Sequence, residues 1–116
     1  MRALALGLAL CAVALPAAAK TARCVVTTNT GVYKGPCDFL SEGGGSFVIQ
    51  PARQSEFFKH DPDFPGITSI SVTVDGADAD VRGLTTAGVN SRWGSAKRSK
   101  MDRACWVGAD FTICAY

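Results

Sequence analysis

The exported part of this chain carries four cysteines in two closely spaced pairs, Cys24/Cys37 and Cys105/Cys114, behind an apolar leader. An even cysteine set in a short chain that leaves the cytoplasm reads as a disulfide framework. The leader occupies residues 1–19. Arg2 gives it a positive start, Ala3 to Leu15 an apolar stretch, and Pro16 a break before the small residues Ala17-Ala18-Ala19. The stretch is too short to cross a bilayer as a helix, so a secretory signal cut before Lys20 is expected. Lipoprotein processing is not, because the bulky Leu10 and Arg23 precede Cys11 and Cys24. Cys11, the fifth cysteine, leaves with the leader.

Residues 20–116 then form one domain, large enough for a modest core that disulfides would supplement. The formal charge of +2 falls to +1 without Arg2, which offers no bulk attraction to nucleic acid or membrane. No later segment is long and apolar enough to be a transmembrane helix.

Hairpin geometry favours local pairing of the cysteines. If Cys105 faces Cys114, then Trp106 faces Ile113, Val107 faces Thr112 and Gly108 faces Phe111, leaving Ala109-Asp110 as the loop. Counting outward, the cysteines fall at a non-hydrogen-bonded pair, where Cα atoms approach within disulfide reach. Facing Cys24 with Cys37 places Thr30-Gly31 in the loop and sets Pro36, which has no N–H, at a hydrogen-bonded position. That hairpin needs a bulge or a solvent-facing edge. Bridges joining the front of the domain to its tail stay open as the alternative.

The middle of the chain alternates as a strand does: Ile70, Val72 and Val74 against Ser69, Ser71 and Thr73. An Asp75-Gly76 turn folds Val74 onto Ala77, Val72 onto Ala79 and Ile70 onto Val81, with one wholly apolar face. Phe47 and Ile49 mark a strand after Gly43-Gly44-Gly45, paired with Phe39–Ser41. Pro51 to Gly66 holds three prolines; a helical turn near Gln54–Lys59 would set Phe57 and Phe58 as a core plug. Thr85 to Arg103 shows no clean period and reads as a long loop, a common place for function. The expected fold is therefore all-β: a small antiparallel sheet or barrel-like domain of six or seven strands, with two disulfides and one long basic loop.

That loop is the main candidate for chemistry. From Arg92 to Arg103 it holds five basic residues and one acid. Trp93 would anchor a partner, Ser95 would hydrogen-bond it, and Arg92, Lys97, Arg98 and Lys100 would complement its charge. A solvated loop that keeps a small protein soluble has the same composition. The acids Asp61, Asp63, Asp75, Asp78 and Asp80 do not follow a calcium-loop spacing, and turn chemistry explains them better. His60 is the single histidine, which disfavours a zinc site and leaves at most a lone general base with a nearby carboxylate. There is no redox Cys-x-x-Cys, and Gly43-Gly44-Gly45 lacks the strand and helix of a phosphate-cradling loop. No cofactor, metal or catalytic residue is assigned.

Gly31-Val32-Tyr33-Lys34-Gly35-Pro36-Cys37, Gly45-Ser46-Phe47, Ala104-Cys105-Trp106-Val107-Gly108 and Cys114-Ala115-Tyr116 together resemble a group of small exported proteobacterial proteins that has no assigned activity. The resemblance spans most of residues 20–116. It implies a periplasmic or secreted location and a small disulfide-bonded β domain. The general plan is also similar to the periplasmic lysozyme inhibitors, small exported β proteins that send a polar loop into an acidic cleft. The Ser-Gly-x-x-Tyr and later Lys-Gly signature of the C-type inhibitors is missing here, so no family residue carries over. By analogy, Lys97 or Arg98 would face catalytic carboxylates and Ser95 would bond them. The expectation is an exported, non-catalytic binding module for a protein partner such as a cell-wall hydrolase, without nucleic acid and without membrane insertion after cleavage. The alternatives are a small periplasmic hydrolase using His60 with a carboxylate, and a structural envelope protein.

Overall fold

The computed structural model describes residues 19–52, 57 and 66–116. They form eight strands: β1 (Lys20–Thr28), β2 (Gly31–Gly43), β3 (Ser46–Pro51), β4 (Ile67–Asp75), β5 (Asp78–Thr85), β6 (Asn90–Arg98), β7 (Cys105–Gly108) and β8 (Phe111–Ala115). Each strand pairs antiparallel with the next, and β1 closes on β8 to complete a barrel. The all-β, two-disulfide fold is as expected. Residues 1–18 of the leader, Phe58, His60, Asp61, Asp63 and the helical turn apart from Phe57 lie outside the described residues. Phe57 itself is buried, donates its backbone N–H to the Ile67 carbonyl at 3.0 Å and meets the Tyr33 ring edge-on.

Alternation along each strand sorts side chains to two sides. Val26, Ile49, Ile70, Val72, Val81, Trp106 and Ile113 turn inward and are buried. An eight-stranded barrel has an interior that side chains just fill, and these residues fill it. Outward positions on β1, β2, β5 and β6 include Arg23, Lys34, Asp38, Asp78, Asp80, Arg82, Arg92 and Lys97. A lipid-facing barrel has apolar residues at those positions, so this outer face suits water.

Room for large rings inside so narrow a barrel comes from glycine. Trp93 lies across Gly83, where an added Cβ would stand 2.7 Å from the indole Nε1. Phe111 lies in the same way across Gly108, and Tyr33 across Gly35, with its Oη 3.1 Å from such a Cβ. Trp93 and Phe111 then meet edge-on, their centroids 5.8 Å apart.

Both disulfides pair locally, Cys24–Cys37 and Cys105–Cys114. The second hairpin has the expected register, with Cys105 opposite Cys114, Trp106 opposite Ile113 and Val107 opposite Thr112. The first is shifted by two residues from expectation. Thr28 faces Gly31, Cys24 faces Gly35 and Ala22 faces Cys37, so the bridge runs diagonally across 5.8 Å between Cα atoms. The shift resolves the proline problem. Pro36 now faces Arg23 at a non-hydrogen-bonded pair with β1, and β3 pairing begins only at Cys37.

The β4–β5 hairpin is likewise shifted by two. Val74 faces Ala79, Val72 faces Val81 and Ile70 faces Gly83. Asp75 ends the strand and Gly76 opens the turn at φ +63°, because the first residue of a primed two-residue turn needs a positive φ, which glycine adopts without strain. The apolar face survives, since a two-residue shift preserves alternation.

The long-loop expectation for Thr85 to Arg103 is corrected by β6. Asn90–Arg98 is a strand, paired with both β5 and β7. A bulge between Val81 and Arg82 leaves Trp93 as the extra residue, next to Gly94 at φ +125°. Only residues 99–104 remain as a loop on that side.

Candidate functional site

β6 distributes the predicted contact residues by alternation, and most of them are already engaged. Arg92 stands outward and donates from Nε to Asp80 Oδ1 at 2.8 Å, while Arg82 joins the same carboxylate at 3.5 Å. Lys97 binds Asp78 across the strand pair at 3.1 Å. Ser95 faces Asp80 on this outer surface. Trp93 turns into the barrel, and Arg98 lies over the Trp106 ring at 4.8 Å from its centroid. Lys100 is exposed in the loop after β6. The structure therefore separates the predicted set: Arg92, Ser95 and Lys97 on the β5–β6 face, Trp93 inside, and Arg98 and Lys100 at one barrel end. Of the acids whose spacing does not suit calcium, Asp78 and Asp80 are ion-paired to these bases.

The loop from Ser99 to Ala104 is a tied knuckle. Ser99 Oγ accepts the backbone N–H groups of Met101 and Asp102, each at 3.2 Å. Asp102 Oδ1 accepts the Ala104 N–H at 3.0 Å, and Tyr116 donates its hydroxyl to Asp102 Oδ2 at 2.6 Å. Backbone bonds from Cys105 N to the Asp102 carbonyl and from Ser99 N to the Cys105 carbonyl close its base. The Cys105–Cys114 bridge sits directly beneath, with Tyr116 Oη 3.6 Å from the Cys105 sulfur. β1 supports the knuckle from the side, because Arg23 and Tyr116 exchange backbone hydrogen bonds at 3.3 and 2.8 Å.

The electrostatics follow from those ties. Asp102, the one acid of the basic segment, spends its carboxylate on the knuckle's own N–H and on Tyr116. Its hydrogen bond raises the Tyr116 phenol above its ordinary 10.0, aided by desolvation and the Asp102 charge and opposed by Arg23. Lys100 and Arg103 are exposed and have no ion-pair partner among the described residues. Between them Met101 is 98% exposed. Beside Tyr116 a recess of ≈ 220 Å³ opens, with Ala22, Phe39 and Ala115 in its wall and Lys20 at its rim.

Sequence reasoning missed Met101, Asp102 and Tyr116 as parts of one unit. The available signal was Ser99-x-x-Asp102, two side chains that habitually bond nearby backbone in turns.

No family model matches the chain, and no curated protein or solved structure matches it.

Proposed function

We propose that this protein is an exported, non-catalytic binding module whose partner presents acidic groups, with a cell-wall hydrolase of the lysozyme type as the first candidate. Two disulfides suit an oxidising compartment and support the export half of the reading. The observation that carries the binding half is the partition of charge around β6. Arg92 and Lys97 are ion-paired to Asp80 and Asp78, whereas Lys100 and Arg103 stand exposed with no ion-pair partner among the described residues, on a loop fixed by its own hydrogen bonds. A loop whose backbone is already fixed adds no loop-ordering cost when an anionic partner docks, so only the side chains remain to be ordered. The contact surface is accordingly drawn around the 98–103 end of the basic segment and away from Trp93.

The test is inhibition of a lysozyme panel by the oxidised protein, its Lys100→Ala/Arg103→Ala form and its Arg92→Ala/Lys97→Ala form. Inhibition by the parent, lost in the first variant and kept in the second, supports the reading. A parent that inhibits no member of the panel removes the lysozyme-type partner.

A further inference from the structure

We infer that Met101 is the apolar anchor of this interface, and that the surface it fits is a concave, carboxylate-lined groove with an apolar floor. This rests on the binding reading above and specifies its partner. A flexible basic loop would serve a flat polyanion equally well, because charge alone would do the binding. Three features of the knuckle point elsewhere.

First, its backbone is fixed at Met101, Asp102, Ala104 and Cys105 by bonds to Ser99 and Asp102, and from the side by Tyr116. Second, an apolar side chain stands in water on it beside the cations. Met101 is 98% exposed, an unbranched, polarisable chain that adapts to irregular apolar surfaces. Third, the charges flank it. Lys100 precedes it and Arg103 follows two residues on. Asp102 is turned to internal bonds, and the backbone of Arg23 is bonded to that of Tyr116 at the knuckle's foot. An apolar tip within a collar of cations matches a depression whose rim is acidic and whose floor is apolar. It does not match a polymer that offers charge without a floor, because Met101 would there be held in water.

The experiment measures association and dissociation rates of the oxidised full chain on an immobilised lysozyme panel and, separately, on sulfated dextran. The variants are Met101→Ala, Met101→Leu and Lys100→Ala/Arg103→Ala. At so exposed a position Met101→Ala is expected to leave the urea midpoint unchanged, so a binding change reports the contact. On the lysozyme that the parent binds, Met101→Ala should weaken affinity about tenfold or more, mainly through faster dissociation. Met101→Leu should stay close to the parent. Lys100→Ala/Arg103→Ala should slow association and flatten its salt dependence. On sulfated dextran only the cation variant should matter. Equal lysozyme affinity of Met101→Ala and parent overturns the anchor while leaving the binding module intact. A parent that binds sulfated dextran and no lysozyme overturns both the groove and the partner proposed above.

Discussion

Three glycines of this barrel, Gly35, Gly83 and Gly108, each lie under one aromatic ring, and that fit sets what single substitutions should do. A methyl group on Gly83 meets the Trp93 indole at 2.7 Å, and one on Gly108 meets the Phe111 ring. Both rings are held by the surrounding core, so Gly83→Ala and Gly108→Ala should each cost about 1–3 kcal/mol in urea unfolding. Gly35→Ala meets only the hydroxyl end of Tyr33 at 3.1 Å and should cost less than either. A common small loss for all three would mean that the rings are free to move aside. Trp93 belongs in the same account. Its replacement by alanine should lower stability by about 3 kcal/mol or somewhat less, so a binding defect in that variant would not identify a contact.

Tyr116 makes a different prediction. Its folded phenol titrates above the ordinary value, so the bond to Asp102 is fully present below pH ~10 and is lost as pH rises through the folded value. Tyrosinate absorbance, compared with that of Tyr116→Phe, should place this group's transition above the free-phenol range. The parent's stability should fall there with a component that Tyr116→Phe lacks. A transition at or below the free-phenol value would show that the bond does not form.

At the scale of elements, each disulfide closes one hairpin, but the two sit on opposite sides of the wall. Cys24 and Cys37 lie in the interior and are fully buried, so replacing them removes core volume as well as a cross-link. Cys105 and Cys114 lie at outward positions beneath the knuckle. Replacing Cys105 and Cys114 together with serine should cost about 3 kcal/mol by the loop-entropy account and should increase the mobility of residues 99–104. The Met101 methyl resonance would report that loosening directly. Unchanged Met101 line shape in the double variant would show that the hydrogen bonds suffice.

Legibility of the elements in the sequence followed from how much side chain the inner face carried. The β7–β8 register was readable because the cysteine pair and a two-residue loop agree. β4–β5 kept its apolar face, but the register slipped by two because either Asp75-Gly76 or Gly76-Ala77 makes an acceptable turn. β6 was not readable. Its inward positions are Ser91, Gly94, Ala96 and Arg98, interrupted by the bulged Trp93, so no hydrophobic period exists to find. The site was half legible for the same reason. The basic run was visible, but which cations find acids depends on β5 lying beside β6.

For the whole molecule, closure of β1 on β8 decides how the fold comes apart. Chain ends usually fray first, and hydrogen exchange there is fast. Here the first strand is hydrogen-bonded on both sides, and Val26 and Ile113 face each other across the seam at full burial. Their amides should exchange as slowly as those of Val72 and Val81 on the far wall. Markedly faster exchange at the seam would mean that the barrel opens there before it unfolds.

The bonds between Arg23 and Tyr116 bring Lys20 and Tyr116 to the same rim, next to Ser99–Ala104. Any affinity tag, fluorophore or surface tether attached ahead of Lys20 or after Tyr116 therefore hangs beside Met101 and can mask it. Probes for capture or display belong at the opposite rim, in the Asn29-Thr30 or Ala109-Asp110 turns. A protein handled only by its termini would then look inert for reasons of attachment alone.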